Sequence, residues 1–124
     1  MVDIDRFYEL LDEVCAELPD EFFKDLHQGV VVSEEEKISP YARADDLIIM
    51  GEYRRARYGN QITIYYGSFL KSYPFASEDF IRTRLREVVR HEFRHHMENL
   101  SGIYGRESLE YEDEVELRKY KNRG

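Results

Sequence analysis

One cysteine, no tryptophan, three prolines and four histidines are spread over 124 residues, and each scarcity closes off a class of protein. Cys15 alone can form neither an internal disulfide nor a thiolate metal cluster. Its place on the apolar face of an N-terminal helix makes it a packed thiol rather than a nucleophile. No apolar run approaches the roughly 20 residues that span a bilayer. The start, Met1 to Arg6, is acidic where a signal peptide is basic, so no membrane association and a cytoplasmic setting are expected. Positive charge is also short: 18 Lys and Arg against 26 Asp and Glu leave a net charge of −8. Nucleic-acid binding needs a concentrated basic face and is excluded as the main activity. Arg54, Arg55 and Arg57, with Arg82, Arg84, Arg86, Arg90 and Arg94, make the middle of the chain locally basic, and acidic neighbours are expected to pair with them.

What is present fits one domain over residues 1–124. A chain of this length buries about two-thirds of the surface it exposes when unfolded. Ten Tyr and seven Phe point to half-buried strands or a groove. Asp3 caps a helix carrying Phe7, Leu10, Leu11, Val14 and Leu18, stopped by Pro19. A short helical or irregular stretch spans 20–27, and Val30 to Val32 form a brief strand. Leu47 to Tyr53 and Gln61 to Tyr66 are β-rich runs either side of the Gly59-Asn60 turn, so they pair as antiparallel strands. Residues 33–46 lack periodicity and are expected to be a surface loop. Ser77 caps a long helix running to about Asn99. Gly102 and Gly105 break it, and Ser108 begins a final helix with Leu109, Val115, Leu117 and Tyr120. The expected class is α+β, a small mixed or antiparallel sheet packed on the long helix, with helices at both termini.

The long helix carries His91-Glu92-Phe93-Arg94-His95. Residues four apart on a helix lie one above the other, so His91 and His95 direct two imidazoles at one ion. Zinc accepts such nitrogens and leaves room for a water. Glu92, one step round, reaches that water as general base, and the hydroxide attacks a carbonyl polarised by the metal. Chance alone produces this pattern in a chain of this composition about once in a hundred. His27 has no ligand-type residue at suitable spacing and is expected at the surface.

The motif, followed by a second consecutive histidine, His96, resembles the zincin superfamily of metallopeptidases. More particularly it resembles the small bacterial zincin-like metallopeptidase family, through a first helix ending at Leu18-Pro19, Gly51-Glu52-Tyr53, and Ile62 to Tyr65 leading to the motif helix. The resemblance implies a zinc-dependent peptidase holding one ion and an extended peptide or unfolded segment along a sheet edge. Three positions depart from the pattern: Arg94 is charged inside the motif, and Glu98 and Ser101 stand where the family has Gly and Asp. Glu98 lies one turn beyond His95 and is cast as a supporting carboxylate rather than a ligand. The resemblance to glutamate-liganded zincins places the third ligand among the carboxylates of 107–116. Asp113 is preferred, because it falls in the stripe Leu109, Asp113, Leu117, Tyr120, with Glu110 and Glu112 as alternatives. Tyr104 is a candidate oxyanion donor, though packing in its turn is the stronger expectation, and His96 is expected to pack at the helix end. The alternatives to catalysis are a metal-binding regulatory module, disfavoured because it needs no Glu92, and an interaction domain whose arginines bind an acidic partner.

Overall fold

The structure, a computed structural model, describes residues 2–40, 47–56, 59–102 and 114–117, with Ala56 and the last four described by backbone. Helix α1, Ile4–Ala16, begins where the Asp3 carboxylate accepts from the Arg6 N–H at 2.8 Å, and it buries Phe7, Leu10, Leu11 and Val14. After Pro19 a single 3₁₀ turn, Asp20–Phe23, leads to strand β1, Gly29–Ser33. The stretch read as loop holds a two-residue strand, β2, Lys37–Ile38. Strands β3, Leu47–Ala56, and β4, Gly59–Tyr65, form the expected antiparallel pair.

Tyr66 does not extend β4. It opens a short helix, α2, Tyr66–Ser72, whose signal was present in Tyr66, Phe69, Leu70 and Tyr73 at three- and four-residue spacing. Ser77 caps α3, Glu78–Ser101, by accepting from the Phe80 N–H at 3.1 Å. Gly102 ends it in the left-handed region, φ 74°, where a side chain is costly.

The expected C-terminal helix is corrected over its described residues: Glu114–Leu117 is a strand, β5. Glu114-Val115-Glu116-Leu117 alternates polar and apolar, and the exposed edge of β3 supplies the hydrogen bonds that such a stretch needs. Tyr104, Glu110, Glu112 and Asp113 lie outside the described residues. The helical stripe that singled out Asp113 no longer holds where it runs through Leu117.

The five strands form one mixed sheet, with neighbours β1-β4-β3-β2 and β5 also on β3. The β1–β4 pairing is parallel, and the pairings of β3 are antiparallel. A strand residue has one neighbour on each side. Gly51 pairs with Ile64 of β4 and Glu114 of β5, while Ile48 and Ile49 pair with both β2 and β5. Strand β5 therefore takes the outer edge of β3, opposite the side shared by β4 and β2. Helices α1 and α3 enclose a core with the sheet that includes Phe7, Ile48, Ile62, Ile64, Phe69, Leu85, Val88 and Phe93. Gly51 allows α3 to approach, for a Cβ built there would lie 2.7 Å from Val88 Cγ1.

Candidate metal centre

The buried face of α3 runs Ile81, Leu85, Val88, Val89, Glu92, Phe93, His95 and His96, so the motif continues the helix's apolar stripe. The flank carrying Arg82, Arg86 and Arg90 is taken by α1: Arg82 pairs with Glu13 at 3.0 Å, and Arg86 and Arg90 pair with Glu17 at 2.8 and 3.4 Å. Arg84 pairs with Glu87, Arg94 with Glu98 and Arg54 with Glu52, so the central arginines are largely engaged within the chain; Arg57 lies outside the described residues.

His91 lies on the flank away from α1. Its Nε2 is 3.0 Å from Nε2 of His95, with the rings at 88° and centroids 4.6 Å apart. Two imidazole nitrogens bound to one tetrahedral zinc at about 2.0–2.1 Å sit about 3.3–3.4 Å apart. The observed separation, which is also that of a hydrogen bond between the two rings, is a few tenths of an ångström shorter than that spacing. His95 is fully buried, and its other nitrogen, Nδ1, is 3.8 Å from Glu98 Oε2. That is longer than a hydrogen bond, but it puts the carboxylate at the nitrogen that faces away from His91. Glu92 is fully buried on the central stripe. Among the described residues no three His, Cys, Asp or Glu side chains form a complete ligand set.

His96 does more than pack at the helix end. It is fully buried, and its Nε2 lies 2.6 Å from the Lys24 carbonyl oxygen. That oxygen can only accept, so Nε2 carries the proton. In the neutral ring Nδ1 then accepts from the Tyr53 hydroxyl at 2.7 Å. The Asn99 amide donates to the same hydroxyl at 3.0 Å, and Arg55 donates to Asn99 Oδ1 at 3.0 Å. Burial drives the His96 pKa down, against the Lys24 bond, and keeps the ring neutral. Burial also raises the Tyr53 pKa, against the Asn99 bond. This chain fixes α3 to β3 and to the segment after the 3₁₀ turn, and so sets the azimuth at which His91 and His95 project. Sequence reading missed Tyr53 and Asn99; only the spacing of Asn99, one turn past His95, hinted at them. His27 is exposed, 3.9 Å from Asp25.

A mixed sheet carrying one long helix, with two neighbouring imidazoles and a buried glutamate on that helix, defines an α+β protein. No protein-family model and no curated protein matches the chain. A solved structure similar to it is a conserved hypothetical protein from Thermus thermophilus, 33% identical, with a TM-score of 0.67; the match covers 82% of this chain and 100% of that one. The chain belongs to the family of that thermophile protein.

Proposed function

We propose that the protein is a zinc-dependent peptidase of the zincin-like kind, with His91 and His95 as metal ligands and Glu92 as general base. The observation that carries this reading is the 3.0 Å approach of the two Nε2 atoms, on a helix whose intervening carboxylate is buried rather than solvated. Zinc held by these nitrogens would act as a Lewis acid and lower the pKa of a bound water. Glu92 takes the proton of the attacking water and passes it to the leaving amine. His95 is steadied by Glu98, and the helix by His96. Asp113, which lies outside the described residues, is put forward as third ligand as the family resemblance implies, with Glu110 and Glu112 as the alternatives. The substrate is an extended peptide or unfolded segment, and the setting is cytoplasmic.

Metal content tests the site. Protein purified without chelator or histidine tag should hold about one zinc per chain, as expected for a single site. The ion should be lost in His95→Ala and in Asp113→Ala. Glu92→Gln should keep the zinc and lose peptide turnover by about 100-fold or more, the range for removing a general base. A wild-type chain that neither contains zinc nor takes it up overturns the proposal. Turnover unchanged in Glu92→Gln overturns the role given to that residue.

A further inference from the structure

Strand β5 approaches α3 just before the motif: Glu114 pairs with Gly51, where a Cβ would meet Val88, while Glu116 and Leu117 run back along Ile48 and Leu47. The α1 flank of α3 faces the β1 side of the sheet, since His96 reaches Lys24, shortly before Gly29. The His91 flank therefore faces the outer edge of β3, and that is the edge β5 covers, pairing Leu47 with Leu117, Ile48 with Glu116, Ile49 with Val115 and Gly51 with Glu114. Strand β5 also contacts α3. An extended peptide held by main-chain hydrogen bonds and presented to His91 and Glu92 has to run along this edge. Glu92 and His95 meanwhile have no solvent-exposed surface, so a substrate reaches them only after something is displaced.

We propose that β5 is a resident occupant of the peptide lane: the chain's own residues 114–117 fill the strand-addition site on β3, and substrate must displace them. The catalytic consequence rests on the peptidase reading; the occupancy does not. Strand β5 is built to be displaced. It pairs at four positions, interrupted by an irregularity between Ile49 and Gly51, whereas β3 and β4 pair at six positions in unbroken register. A short, interrupted edge ladder opens at lower free energy than the fold as a whole. Its direction also fixes that of the substrate, which must lie antiparallel to β3.

The test uses the full, zinc-loaded chain with Val115→Pro and Glu116→Pro. Alternate residues of an antiparallel edge strand turn their N–H toward the neighbour, so one of the two substitutions removes a ladder bond. Amide exchange is followed at Leu47–Met50, and kcat/KM is measured on a quenched fluorescent peptide. In that variant the edge amides should lose protection by about tenfold or more while those of Val88 and Val89 keep theirs, which shows that the fold survives. The value of kcat/KM should rise by about tenfold, as expected when the competent state had been populated at about a tenth or less. A synthetic peptide of residues 112–119, added in trans, should restore protection and inhibit competitively. Unchanged protection in both variants, or no effect of the peptide, overturns the occupancy. Protection lost with kcat/KM unchanged overturns the lane as the substrate's route. Absence of turnover in every form overturns the peptidase reading, and exchange and the peptide then decide occupancy alone.

Discussion

At the scale of single residues, spacing became geometry where partners are local. His91 and His95 converge because they are four apart on one helix, and that much was legible before any coordinates. The role of His96 was not, because its partners, Tyr53 and the Lys24 carbonyl, are 43 and 72 positions away, and no local pattern encodes such a meeting. Glu52 is a second case. Its carboxylate accepts from Lys37 Nζ at 2.6 Å and from the Tyr65 hydroxyl, with Arg54 at 3.5 Å. Burial, the largest influence, pushes its pKa up, but the Lys37 and Tyr65 hydrogen bonds together prevail and hold it below the ordinary carboxylate value. A carboxylate with a depressed folded pKa stabilises fully above its unfolded pKa, about 4.3, and that contribution disappears as pH falls through the folded value. Urea unfolding at pH 7 and pH 3 should therefore show wild type losing more stability than Glu52→Gln. Equal losses would mean that the network contributes nothing to acid sensitivity.

At the scale of elements, the long amphipathic helices were readable because about three and a half or more turns of periodicity outweigh local noise, and the β3–β4 pair was readable from its two β-rich runs, although Gly59 and Asn60, read as the turn, begin β4. Strand β5 was not, because four residues of Glu-Val-Glu-Leu carry too little periodicity to resist a helical reading; a neighbouring strand decided the matter. Gly51 illustrates the same dependence on a distant element. Its missing side chain matters only because Val88 lies where a Cβ would be. Gly51→Ala should cost about 1–3 kcal/mol as an overpacked contact. Val88→Ala, itself destabilising, should remove most of that penalty in the double variant, giving a favourable coupling measurable by a double-mutant cycle. Additive costs would show that β3 shifts to accommodate the methyl group.

For the whole molecule, the α+β class and the place of the motif helix in it were legible, whereas the order of strands about β3 was not, since pairing partners are chosen across the fold. The proposed metal binding would act at this scale too. A ligand that binds only the folded chain stabilises it by about 4 kcal/mol at a thousand times its Kd. For a domain of this size that raises Tm by at least several degrees. Added zinc should thus raise the melting temperature of wild type and of Glu92→Gln, but not of His91→Ala. An equal rise in all three would place the ion elsewhere.

The outer edge of β3 has one more consequence. Leu47-Ile48-Ile49-Met50 is a run of large apolar residues of which Ile48, Ile49 and Met50 are buried, and β5 caps its backbone. An uncovered edge of this composition is a template on which further chains can stack. Opening the lane would therefore expose the protein to self-association, most of all at high concentration. On the occupancy proposed above, the four residues that fill the lane also cap this edge, and any variant made more open should be watched by light scattering as closely as by assay.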